Sequence, residues 1–115
     1  MVKIAIKRIY DPASAADGFR VLVDRLWPRG ISKEKAHIDV WLKEVAPSTE
    51  LRQWYHAHLE EWDTFSKRYA AELEGSPALA ELQALAKAHP HLTLLYAARE
   101  EAHNHARLLA KRLHQ

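Results

Sequence analysis

Phe19-Arg20-Val21-Leu22-Val23-Asp24-Arg25-Leu26 is the stretch on which the fold turns. Its centre is apolar at three consecutive positions, the pattern of a strand buried on both faces in a parallel sheet rather than the alternation of a half-buried one. Trp27-Pro28-Arg29-Gly30 then ends the strand, because proline brings no ladder donor and glycine permits a turn. Leu92-Thr93-Leu94-Leu95-Tyr96-Ala97 reads the same way, as a second fully buried strand. Upstream, Val2, Ile4 and Ile6 alternate with Lys3, Ala5 and Lys7, which predicts a strand over residues 2–10 with one buried face. Residues 11–18, rich in Pro, Ala, Ser, Asp and Gly, read as a loop.

Between these strands the period changes to that of helices. Pro47-Ser48 offers an N-cap, and Leu51, Trp54 and Tyr55 follow at helical intervals. Trp62, Phe65, Tyr69 and Leu73 form one apolar stripe, so those aromatics are assigned mainly to the core. Gly75-Ser76-Pro77 ends that helix and starts the next, with Gly75 at the left-handed C′ position, Ser76 as cap and Pro77 at N1. Leu79, Leu82 and Ala86 give this helix its inner face, and Pro90 closes it. A final helix is predicted over residues 100–113, with Ala102, Ala106, Leu109 and Leu113 inward. Residues 38–45 fit a strand through Ile38, Val40 and Leu42, and a helix through Ile38, Trp41, Leu42 and Val45. The expected fold is a single α/β domain over residues 1–115: a mostly parallel sheet of about four strands flanked by helices, in a Rossmann-like three-layer arrangement.

Composition narrows the function classes. The 115 residues carry 17 basic and 15 acidic side chains, a near balance unlike the excess of a dedicated nucleic-acid binder. There is no cysteine, which excludes disulfides, thiolate metal sites and a cysteine nucleophile. The charged alternation of the first residues lacks the apolar core of a secretion leader, and no run approaches transmembrane length, so a cytoplasmic location away from membranes is expected.

Ligands of parallel sheets bind beyond the carboxyl ends of the strands, and two segments lie there. One is residues 23–30, with Asp24, Arg25, Trp27 and Arg29. The other is residues 96–105, with Tyr96, Arg99, His103, Asn104 and His105, where a strand gives way to a helix N-terminus. Cations beside free backbone N–H groups suit an anion such as a phosphate or carboxylate. Arg99 and His103 stand i, i+4 if the helix begins early, so both could face one ligand. Each residue also has a structural reading: Asp24 and Arg25 as an ion pair pinning the strand exit, Trp27 as a lid over the core, Arg29 as a solvated loop arginine. The His-x-His pairs 56/58 and 103/105 are poor helical chelates, and no metal site is predicted. G-x-G-x-x-G and P-loop fingerprints are absent, and no cofactor can be assigned.

Residues 23–30, Ala46-Pro47-Ser48-Thr49-Glu50-Leu51-Arg52 and Leu94-Leu95-Tyr96-Ala97-Ala98-Arg99 with His103-Asn104-His105-Ala106 resemble the YeaO-like proteins, a branch of the domain-of-unknown-function 488 family, over nearly the whole chain. The resemblance implies a fold and no particular activity. In the larger family the strand exit carries an Asp-Arg pair with a nearby proline, matched by Asp24, Arg25 and Pro28. A later strand is followed there by a Cys-His-Arg element, and here His103-Asn104 stands where its cysteine and histidine fall. Arg99 is often lysine in YeaO-like sequences. Thiol chemistry is thereby ruled out, leaving binding or acid–base roles. The resemblance also favours a strand at residues 38–45, with Trp41 and Lys43 on one face.

Three functional classes fit these residues. The first is a pocket for a small anionic, phosphate- or carboxylate-bearing and nucleotide-like ligand, built from Arg25, Arg29, Lys43 and Arg99, with His103 and Asn104 beside them and Trp27, Trp41 and Tyr96 as walls. The second is a nucleic-acid-binding or -processing surface made of the same residues. The third is an interaction or structural domain whose motif residues bond to one another.

Overall fold

Strands buried on both faces need layers on both sides, and the computed structural model, which describes residues 3–99 and 103–114, has them. Four parallel strands, β1 (Lys3–Arg8), β2 (Phe19–Leu22), β3 (Val40–Trp41) and β4 (His91–Tyr96), form one sheet in the order β1-β4-β2-β3. The two central strands are β4 and β2, and Val21, Leu22, Leu92, Leu94 and Leu95 within them expose no surface. The register sets Lys3 beside His91 and Arg8 beside Tyr96, while Leu22 lies between Leu95 and Trp41. All four strands therefore end at the same edge of the domain.

The two outer layers are unequal. Helices α2 (Thr49–His56), α3 (Trp62–Leu73), α4 (Pro77–Ala88) and α5 (His105–Leu113) cover the face carrying Val21, Val23, Leu92, Leu94 and Tyr96. The opposite face, carrying Ile9, Leu22 and Leu95, is covered by the short α1 (Lys33–Ala36) and by Trp27, Ile31 and Ile38 of the loops around it. Ser48, Ser76 and Asn104 each accept a hydrogen bond from the third backbone N–H beyond them, so side chains cap α2, α4 and α5. Gly75 takes a φ of +70° between α3 and α4, as the Gly-Ser-Pro sequence requires.

Polar groups fasten the thinner layer. Asp17 is buried and accepts from Lys7 (3.1 Å), from the guanidinium of Arg20, and from the Ser14 amide (3.0 Å). Arg20 also donates to the carbonyls of Ala36 (2.9 Å) and His37 (3.0 Å), closing the C-terminal end of α1. Burial alone would raise the Asp17 carboxyl, but the Ser14 amide, Lys7 and Arg20 together hold it below its ordinary value of 3.8. At Gly18, φ is +66° and a Cβ would stand 2.3 Å from the His91 carbonyl oxygen, so only glycine lets the chain cross β4 here.

Several boundaries depart from the sequence reading. The strand expected over 19–26 stops at Leu22, although Val23 N–H still donates to Leu95 (3.0 Å); Asp24 and Arg25 then turn to other partners. At 38–45 only Val40–Trp41 is strand, and Lys43–Val45 is a 3-10 turn. The strand expected over 2–10 is Lys3–Arg8, with Val2 outside the described residues. Helix α5 begins at His105 rather than near Glu100, because Asn104 occupies the cap; residues 100–102 lie outside the described residues. Among the described residues no helix is long and apolar enough to cross a membrane.

Candidate functional site

The strand exits are held by side chains that bond inward. Asp24 leaves β2 and accepts the Ala97 amide at 2.9 Å, which ties the exit of β2 to that of β4. Its second oxygen, shielded from solvent, stands 3.2 Å from His105 Nε2, and the same nitrogen lies 2.9 Å from the Val23 carbonyl. With the proton on Nε2, the imidazole donates to Val23 and faces the Asp24 carboxylate at ion-pair distance. His105 is the first residue of α5, so this contact fixes the helix start against the sheet. The Tyr69 ring lies edge-on to His105, and its hydroxyl donates to the buried Val45 carbonyl at 2.5 Å. Burial, reinforced by the negative charge of Glu72, raises the Tyr69 hydroxyl well above the ordinary tyrosine value.

Arg25 does not pair with Asp24. Its guanidinium donates to the carbonyls of Ala46 (3.1 Å) and Pro47 (3.2 Å) and lies 3.8 Å from Glu44, clamping the loop that enters α2. Ser48 caps that helix while its own amide and hydroxyl donate to Glu72 of α3 at 2.9 and 2.6 Å. The Ala46-Pro47-Ser48 motif is thus a helix start braced from two sides.

The predicted aromatic walls do not converge. Trp27 and Trp41 meet edge to face at 5.4 Å on the thinner layer, where their indoles donate to the carbonyls of Ile31 (2.8 Å) and Asp24 (2.7 Å). Tyr96 is buried in the core on the opposite, helical face. Lys43 sets its ammonium over the Trp41 ring at 5.3 Å, a contact made through the 3-10 turn rather than along a strand. Arg29 and Arg99 are exposed on the loops leaving β2 and β4. His103 is exposed, precedes the cap of α5 and tilts against Trp62 at 4.9 Å, so no i, i+4 helical relation to Arg99 forms. Asn104 is buried as the cap and accepts from the Arg107 amide at 3.0 Å.

Two residues that sequence reasoning missed complete the edge. Arg8 donates to the carbonyls of Ala98 (3.0 Å) and Ala97 (3.4 Å), and its guanidinium lies over the Tyr10 ring at 5.3 Å. The Tyr10 hydroxyl donates to the Arg29 carbonyl at 2.8 Å. A chain of contacts thus runs along the strand exits from Lys43 through Trp41 and Trp27, and from Arg29 through Tyr10 and Arg8 to the loop carrying Arg99. Only their position at the end of an alternating strand marks Arg8 and Tyr10 in the sequence.

Two concavities among the described residues lie elsewhere, one lined by Glu44, Ser76, Pro77, Ala78 and Glu81, the other by β1, α5 and Trp62. No group of three or more metal-ligating side chains converges among the described residues.

The chain is 48% identical over 110 residues, 95% of either chain, to the uncharacterised protein YeaO of Escherichia coli. It is 45% identical over 111 residues to uncharacterised proteins of Mycobacterium tuberculosis and Mycobacterium bovis, covering 96% of this chain and 93% of theirs. No solved structure matches it. The profile described as the inactive DUF488-N3 subclade matches residues 3–115, and the chain belongs to that family.

Proposed function

We propose that this chain is a non-catalytic binding domain, which takes an anionic, phosphate- or carboxylate-bearing ligand on the open rim of its strand exits. The single observation carrying this reading is the division of labour among the motif residues. Asp24, Arg25, Asn104 and His105 are turned inward to carbonyls, amides and each other, whereas Arg29, Lys43 and Arg99 stay exposed on the loops around them. Inward-facing partners leave the Asp24 carboxylate and His105 imidazole committed to the scaffold, while the outer cations remain available to an anion. The family description "inactive" supports the non-catalytic half of the reading. The Lys43–Trp41 stack holds one ammonium in place, which lowers the entropy cost of using it.

Thermal shift with pyrophosphate and with a nucleoside triphosphate tests the reading. Both should stabilise the protein, and Arg29→Ala should remove most of the shift while leaving the unliganded melting temperature unchanged. Equal stability with no shift for any anion in the wild type would refute it. A preference for single-stranded nucleic acid over both small anions, with affinity falling steeply in salt, would assign the same rim to a polymer instead.

A further inference from the structure

The sheet has a second open feature, away from the strand-exit rim. Strand β1 lies at the edge of the sheet and pairs only with β4. Lys3 N–H donates to Pro90 and Ile9 N–H to Tyr96, so the odd-numbered residues of this segment turn their backbone groups toward β4. The backbone N–H and C=O of Ile4 and Ile6 therefore point outward, and neither residue bonds to another described residue there. The Arg8 carbonyl, by contrast, is closed by the Asp11 amide at 3.1 Å. Beside this free edge lies a groove of about 460 Å³. Ile4, Ile6, Trp62 and Leu108 supply its apolar lining, Arg107 and Lys111 its charge, and no carboxylate of the described residues lines it. Lys3 and Lys111 are exposed and make no ion pair with the described residues.

We propose that β1 accepts an extended acidic segment of a partner protein as a fifth strand, with the partner's apolar side chains entering this groove. Ile4 and Ile6 offer two donors and two acceptors to an incoming backbone, the ladder that strand addition requires. An added strand would place alternate side chains on opposite faces of the sheet. Those on the helical face would meet Ile4, Ile6 and Trp62, and carboxylates would meet Lys111 at the rim and Lys3 on the other face. The charge argues against a second copy of this chain: antiparallel self-pairing about Ala5 sets Lys3 opposite Lys7, a repulsive cross-strand pair.

Fluorescence anisotropy with a labelled peptide of alternating Glu and Val, beside a Lys-Val peptide of equal length, tests the proposal. The acidic peptide should bind, the basic one should not, and salt should weaken the complex. Ile6→Pro removes one outward donor and spares the β4 ladder; it should abolish binding, whereas Ile6→Ala, which keeps the donor, should retain it. Lys111→Glu, at an exposed helix position that does not endanger folding, should weaken binding by about tenfold. Equal binding of both peptides, no binding of either, or full binding by a folded Ile6→Pro protein or by Lys111→Glu would overturn the proposal. So would sedimentation showing a homodimer that Ile6→Pro dissociates.

Discussion

Gly18 and Arg25 show how single residues hold the strand-exit face in place. Replacing Gly18 with alanine drives a Cβ into the His91 carbonyl at a left-handed φ. Urea unfolding of Gly18→Ala should show a loss of about 2–4 kcal/mol. Arg25 clamps carbonyls while keeping 30% of its side chain exposed, so Arg25→Ala should lose only about 1–2 kcal/mol in the same assay. A loss above ~3 kcal/mol would require the buried Asp24 pairing that the geometry does not contain. Residue identity places Asp24 and Arg25 at the strand exit and suggests that they pair with each other, but most of their partners are backbone carbonyls and an amide distant in sequence. Such partners carry no side-chain signature, which is why the Ala46, Pro47 and Ala97 contacts could not be read in advance.

At the scale of elements, the polar network under β1 and β2 and the aromatic stripe of α3 make stability depend on pH at both extremes. The Asp17 carboxyl is held below 3.8 in the folded state, so its contribution is present above that pH and is lost as pH falls through the lower folded value. Acid unfolding of the wild type should therefore steepen below about pH 4, and Asp17→Ala, about 3–5 kcal/mol less stable at neutral pH, should have a flatter acid limb. Tyr69 is raised, so its contribution is complete below the ordinary tyrosine value of 10.0 and declines as pH rises above it. Tyr69→Phe should lose about 1–2 kcal/mol at neutral pH, through the orphaned Val45 carbonyl, and flatten the alkaline limb. Elements with strong internal patterns were the legible ones. Helices α3 and α4 fall where the Trp62–Leu73 stripe and the Gly75-Ser76-Pro77 boundary put them. Helix α1 and the 3-10 turn at Lys43–Val45 escaped because each spans four residues or fewer, too short for a period to show. The start of α5 was misjudged because Asn104 satisfies the Arg107 amide as a cap, whereas helical spacing alone allows it a place inside the helix.

For the whole molecule, the unequal layers explain why the parallel sheet and its three layers were legible while the site geometry was not. Hydrophobic runs report that a strand is covered on both faces; they do not say that four helices share one face and a loop layer covers the other. That asymmetry sends Tyr96 to one side and Trp27 with Trp41 to the other, so the expected aromatic walls do not face one another across a single site. The rim and the β1 groove are two separate basic surfaces, so the location of anion binding is the decisive quantity. Titrating pyrophosphate into isotopically labelled protein and mapping amide chemical shifts measures it directly. Shifts centred on residues 27–31, 42–45 and 97–99, abolished when Arg29, Lys43 and Arg99 are all replaced by alanine, are what the strand-exit reading predicts. Shifts centred on residues 107–111, or an unchanged spectrum at saturating pyrophosphate, would contradict it.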